Sequence, residues 1–99
     1  MAKDKSKKKM KRQKAGFCLQ SSQAKEVILM GDFNQWDPVA HPMKKDKEGV
    51  WKKHVFLYPG TYEYKFMVDG EWLMDPDNPL TCLNKFGTRN NLVVIHETG

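Results

Sequence analysis

The sequence predicts an all-β fold, an antiparallel two-sheet sandwich of about seven short strands. Three observations predict it. Residues 61–69 alternate with a period of two, placing Tyr62, Tyr64, Phe66 and Val68 on one face and Thr61, Glu63, Lys65, Met67 and Asp69 on the other. Turn-forming residues recur about every ten positions, as short strands require. No stretch of useful length carries a helical period. A small barrel is the alternative arrangement.

In chain order, residues 1–14 read as a disordered basic tail. They hold eight Lys or Arg against Asp4 and, apart from Met10, nothing that anchors a core. The single domain is expected over 15–99. Its first strands are read at Ala15 to Gln20 and at Glu26 to Met30. Val50 to Leu57 and Thr61 to Asp69 flank Pro59-Gly60, and Asp69-Gly70 leads into Glu71-Trp72-Leu73-Met74. These segments read as a meander, with Asp69-Gly70 as a two-residue hairpin turn needing positive φ at both positions. A last strand is expected at Asn91 to His96, where Val93, Val94 and Ile95 are β-branched.

Alternation nominates Phe17, Val27, Leu29, Val55 or Phe56, Tyr62, Tyr64, Phe66, Val68, Leu92 and Val94 for the core. Trp51 is assigned to packing. Clean alternation fails at Phe56-Leu57, and a bulge there would restore it. Such an arrangement of short strands is of the immunoglobulin-like sort.

Charge and length exclude much. The net charge of +5 divides into +7 over residues 1–14 and, with nine basic and eleven acidic residues in the remainder, −2 beyond. The basic character therefore belongs to the tail, and nucleic acid is not an expected partner of the folded part. At 99 residues the chain has no room for a catalytic barrel. No window is apolar enough to span a membrane, and no apolar stretch follows the basic run to make a secretory signal. Cys18 and Cys82 lack metal-ligand spacing and read as free thiols in a reducing, cytoplasmic setting.

Catalytic constellations are poor. His41, His54 and His96 stand alone in sequence, and no Ser or Cys has an activating context. Asp69, Glu71, Asp75 and Asp77 form an acidic run that invites comparison with a glycosidase pair or a calcium loop. Turn chemistry accounts for it better, because Asp and Asn in Asp75-Pro76-Asp77-Asn78-Pro79 cap turns with their own side chains. The Gly and Glu of a calcium loop are missing. No catalytic residue, metal site or cofactor is expected.

Binding fits better. Trp36 stands among Asn34 and Asp37-Pro38, and Trp72 follows Asp69-Gly70, so both rings are expected at surface loops. A pyranose ring presents an apolar C–H face and a rim of hydroxyls. Its site needs flat aromatic surfaces with donors and acceptors at the edge. Trp36 and Trp72 supply the surfaces, Lys65 a donor on the solvent side of its strand, and Asn90 both donor and acceptor.

The segments Gly31-Asp32-Phe33-Asn34-Gln35-Trp36, Tyr62-to-Trp72, Asp75-to-Pro79 and Phe86-Gly87-Thr88-Arg89-Asn90-Asn91 stand in an order and spacing that resembles family 48 of the carbohydrate-binding modules. That family includes the glycogen-binding module of the AMP-activated protein kinase β subunit and modules preceding the barrel of glycogen branching and debranching enzymes. The similarity covers about Phe17 to Ile95. It implies an immunoglobulin-like sandwich that binds α-1,4-linked glucan polysaccharide or maltooligosaccharide through Trp36, Lys65, Trp72, Phe86, Thr88 and Asn90. Phe86 departs from a family leucine, and Arg89 adds a charge near the site. The implied partner in trans is a glucan-metabolising enzyme or a kinase, and an adaptor or regulatory subunit is the alternative role. Because the chain ends at Gly99, without the later segment of the kinase subunit, a true kinase β subunit is not expected.

Overall fold

The computed structural model describes residues 11–97. Among the described residues eight strands form two antiparallel sheets. They are β1 (Gln13–Gln20), β2 (Val27–Gly31), β3 (Lys44–Lys45), β4 (Val50–Leu57), β5 (Gly60–Val68), β6 (Glu71–Leu73), β7 (Thr81–Leu83) and β8 (Arg89–Ile95), with a single 3₁₀ turn at Asp32–Asn34. The smaller sheet runs β1-β4-β3 and the larger β2-β5-β8-β7, with β6 added to β5. β5 organises the larger sheet: β2 lines one edge, while β8 and β6 share the other, opposite Gly60–Tyr64 and Phe66–Val68 respectively.

The core lies between the sheets. Phe17, Leu19, Val27, Leu29, Trp51, Val55, Leu57, Tyr64 and Phe66 are all buried there. Phe17 meets Tyr64 edge-on at 4.9 Å, joining the two layers. β2 is buried along its whole length because the following chain folds back on its outer edge. Leu29 N–H donates to His41 O, and Met43 N–H donates to Val27 O.

The turn at Asp69-Gly70 has φ of 48° and 87°, the left-handed pair that a strand-matched two-residue hairpin demands. Asp69 has a second task. Its carboxylate accepts Lys25 N–H and Glu26 N–H at 2.8–3.2 Å, tying the start of β2 to the hairpin.

Four expectations need correction. The first strand begins at Gln13, so Gln13 and Lys14 belong to the sheet and not to the tail; residues 1–10 of that tail lie outside the described residues. β4 and β5 are not hairpin partners, because Tyr58-Pro59-Gly60 carries the chain from one sheet to the other. A Pro-Gly pair encodes a change of direction, not the identity of the neighbour. No bulge interrupts β4: it pairs with β1 continuously from Gln13↔Leu57 to Gln20↔Val50, and Phe56 simply points outward, 55% exposed.

The fourth correction concerns β8. Asn91, Val93 and Ile95 face inward, whereas Leu92 is only half-buried and Val94 is 41% exposed. Asn91 is fully buried and satisfied: its Oδ1 accepts Asp75 N–H at 2.6 Å, and its Nδ2 donates to Asp75 O and Asn78 O. The buried amide holds the Asp75-to-Asn78 loop against the sheet. A run of β-branched residues without alternation gave no clue to this parity.

Candidate functional site

The outer face of the larger sheet, opposite the core, carries a cleft of about 730 Å³. Its floor comes from β5 and β8, and its walls from two loops and β6. All six residues expected to bind, Trp36, Lys65, Trp72, Phe86, Thr88 and Asn90, line it. Asp32, Glu63, Leu83, Asn84 and Lys85 line it as well, and sequence reasoning had not assigned them.

Trp36 is placed by the tight turn after β2. Gly31 permits the close approach: a β-carbon there would stand 2.6 Å from Glu63 O. Asn34 is buried and closes the turn, with its Oδ1 accepting Gly31 N–H and its Nδ2 donating to Leu29 O and to His41 Nδ1 at 2.7 Å. Burial, and then the Lys53 ammonium, hold His41 below its ordinary pKa, in keeping with an Nδ1 that accepts. Gln35 and Trp36 both adopt left-handed backbone, φ 54° and 56°. Each such residue costs of the order of 1–3 kcal/mol and persists only where its surroundings enforce it. The indole is then fixed from below, because Trp36 Nε1 donates to Asp32 Oδ1 at 3.0 Å.

Trp72 sits opposite Met67 in the β5–β6 pair and is 50% exposed. Its ring lies 6.0 Å from that of Trp36 at an interplanar angle of 69°. The two indoles thus present inclined surfaces, one half-buried and one open to water. Lys65 is on the outer face, as alternation requires, but it is not a free solvated side chain. It is 9% exposed, its Nζ 5.9 Å from the Trp72 ring centre and 3.4 Å from Thr88 Oγ1. A cation over an indole is favourable, by about 0.5–2 kcal/mol depending on desolvation.

Asn84 builds the opposite wall. Its Oδ1 accepts Phe86 N–H at 2.9 Å and Thr88 N–H at 3.1 Å, while its Nδ2 donates to Thr88 Oγ1 and Asn90 Oδ1. The loop so fixed projects Phe86, 80% exposed, with Lys85 Nζ 5.5 Å from its ring centre. Asn90 is buried on β8 and donates to Glu63 Oε1 at 2.9 Å. Among the described contacts its amide retains one N–H, and Thr88 remains exposed. An Asn two residues before an exposed aromatic was the available signal for Asn84. For Asp32 it was the spacing of four to Trp36.

Arg89 does not line the cleft; its Nε donates to Thr81 Oγ1 at 3.0 Å. Two members of the acidic run beside the hairpin, Asp69 and Asp75, serve the fold. Asp75 accepts the Tyr64 hydroxyl and Asp77 N–H, and that hydroxyl's pKa is pushed up, chiefly by burial.

Residues 17–99 match the family described as the glycogen recognition site of AMP-activated protein kinase. The chain belongs to this family. Among proteins that resemble this glycogen recognition domain, Protein PTST homolog 2, chloroplastic, of Arabidopsis thaliana is 44% identical over 72 residues, 73% of this chain and 13% of that protein. The 5'-AMP-activated protein kinase subunit beta-1 of Rattus norvegicus is 35% identical over 74 residues, 75% of this chain and 26% of that subunit. Among solved structures, maltogenic amylase from S. marinus superposes with a TM-score of 0.75 at 28% identity, over 88% of this chain and 14% of that one. The chain spans less than a third of the length of each of these proteins.

Proposed function

We propose that the cleft binds α-1,4-linked glucan of the glycogen or starch kind and performs no chemistry on it. One observation carries the reading: Trp36 and Trp72 stand 6.0 Å apart at 69° in a single open cleft. Two flat surfaces at such an angle suit successive glucose units of a curved chain, each ring laying its apolar C–H face on an indole. Phe86 is the outer lip, and Lys65, Thr88 and Asn90 address hydroxyls at the rim.

The carboxylates in the cleft support binding over hydrolysis. Asp32 accepts N–H groups on both oxygens and Glu63 accepts one from Asn90, so both work as fixed acceptors. A glycosidase needs a carboxyl that carries and delivers a proton. A shallow site leaves much of the ligand hydrated, which makes a single contact modest in affinity and gives advantage to attachment at many points along a polymer. Within a longer protein or an assembly, the domain would bring a glucan-metabolising enzyme or a kinase to its polymer.

Replacement of both Trp36 and Trp72 by Ala tests this. Retention in glycogen affinity electrophoresis should be lost while the far-ultraviolet dichroism and melting of the sandwich persist. Unchanged retention would refute the assignment. Release of reducing ends from glycogen by the wild-type domain would refute the non-catalytic part.

A further inference from the structure

The side-chain amides of Asn84 and Asn90 form a short relay, and the groups at its two ends have hydrogen-bonding roles that admit no choice. At one end are the backbone N–H groups of Phe86 and Thr88, which only donate, and Asn84 Oδ1 accepts both, at 2.9 and 3.1 Å. The other pole of that amide is therefore Nδ2, and it donates to Thr88 Oγ1 at 2.7 Å and to Asn90 Oδ1 at 3.0 Å. At the far end Asn90 Nδ2 donates to Glu63 Oε1 at 2.9 Å, and an ionised carboxylate only accepts. Both amides are thus fixed in orientation from both sides, and the two acceptor positions and two N–H groups of Asn84 are all used.

The relay decides what this wall shows to the cleft. Thr88 Oγ1 accepts from Asn84 Nδ2 and, at 3.4 Å, from Lys65 Nζ, so both of its lone pairs are engaged and its own O–H is left to donate. Asn90 has its oxygen bonded to Asn84 and, among the described contacts, keeps one N–H. The Lys65 ammonium has only donors, is 9% exposed, and makes no ion pair among the described residues. Thr88, Asn90 and Lys65 all line the cleft, so three neighbouring side chains offer it hydrogen-bond donors.

On the glucan reading above, we propose that Asn84 is a positioning residue for the sugar: by holding the Thr88 hydroxyl and the Asn90 amide in one orientation it makes this wall a row of donors, and the sugar hydroxyls that meet the wall are engaged through their oxygen lone pairs. Without Asn84 the wall has no fixed polarity, because a Thr hydroxyl rotates and an Asn amide turns over to suit its neighbours. Donors oriented before the ligand arrives lose no further freedom when it binds. Asn84 acts through Thr88 and Asn90 and needs no contact with the sugar itself.

The test is an amide chemical-shift titration of the full chain with maltotetraose and with derivatives in which a single C2 or C3 hydroxyl of an inner unit is replaced by hydrogen or by O-methyl. An ether keeps the oxygen lone pairs and has no proton to give; hydrogen keeps neither. At one or more of these positions the deoxy sugar should bind about tenfold more weakly than the parent and the O-methyl sugar within about threefold of it. O-methyl sugars that lose as much as the deoxy sugars, or the absence of any sensitive position, would overturn the proposal. The Asn84→Asp variant keeps an acceptor for the Phe86 and Thr88 N–H groups but turns an oxygen toward Thr88 and Asn90, drawing their donors away from the cleft. It should bind maltotetraose about tenfold more weakly and bring the difference between deoxy and O-methyl sugars below about twofold, with melting close to wild type. Affinity and discrimination equal to wild type would overturn the role of Asn84. Should the Asp variant not fold, Asn84→Ser, whose hydroxyl is too short to reach Asn90, reads the same discrimination. No shift of any cleft resonance with maltotetraose would overturn the glucan reading and this inference with it, whereas binding without the stated discrimination overturns the inference alone.

Discussion

Asp32 and Trp36 are locked together across one turn: the carboxylate holds the indole N–H at 3.0 Å with Oδ1 and the backbone N–H of Glu63 at 2.9 Å with Oδ2. One side chain therefore fixes a ring in a loop to the central strand of the larger sheet. The left-handed Gln35 and Trp36 are tolerable because this clamp and the buried Asn34 leave the turn little alternative.

Replacing Asp32 by Ala should free the indole and leave Glu63 N–H without its acceptor. Lost charge-assisted bonds at a partly exposed site predict a destabilisation of about 1–2 kcal/mol, measured by urea titration. Glycogen retention should fall even at temperatures where the variant is fully folded. Retention equal to wild type would mean that the clamp does not position the ring.

Phe86 makes the opposite kind of prediction. At 80% exposure its ring contributes little to the fold, so Phe86→Ala should change stability by less than about 0.5 kcal/mol. Retention on glycogen should nonetheless weaken, because the lip of the cleft is gone. Isothermal titration with a linear maltooligosaccharide reads the difference directly.

Asn91 is a stability site outside the apolar core, fully buried with both ends of its amide bonded. Its Ala variant strands Asp75 N–H and removes the tether of the Asp75-to-Asn78 loop, for an expected cost of about 2–3 kcal/mol in chemical denaturation. A Leu variant keeps the volume but not the bonds and should fare no better.

His41 gives the fold a pH dependence of known sign. Its pKa is lowered in the folded state by burial and by Lys53, so the folded protein binds this proton less readily than the unfolded chain. The contribution of His41 is present above its ordinary value of about 6.5 and is lost as pH falls through the folded value. Protonation would also set an Nδ1–H against the Asn34 amide donor that it now accepts. Melting temperature should drop between neutral pH and pH about 5, and His41→Gln should flatten part of that slope.

The legible part of this fold was its local chemistry. The alternation of 61–69 placed β5, the left-handed pair at Asp69-Gly70 placed the hairpin, and the motifs around Trp36, Lys65, Trp72, Phe86, Thr88 and Asn90 nominated residues that line one cleft. Phe56-Leu57 misled because alternation was judged by hydrophobicity, and an outward phenyl looks inward by that measure. Leu92 and Val94 misled for the complementary reason: the inward residue was Asn91, whose polarity is satisfied only by carbonyl and amide groups of a distant loop.

By itself the sequence determined which segments are extended, where the chain turns, the family to which it belongs, and six of the residues that line the cleft. These depend on neighbours within a few positions, where side-chain period and turn stereochemistry act. Tertiary structure alone decided that β4 and β5 part company at Gly60, that Asn91 points inward, and that Asp32 clamps Trp36. Each of those is a pairing between distant segments, fixed by which buried polar groups find partners and which apolar faces meet. A period of two defines the faces of a strand without saying what lies across from them.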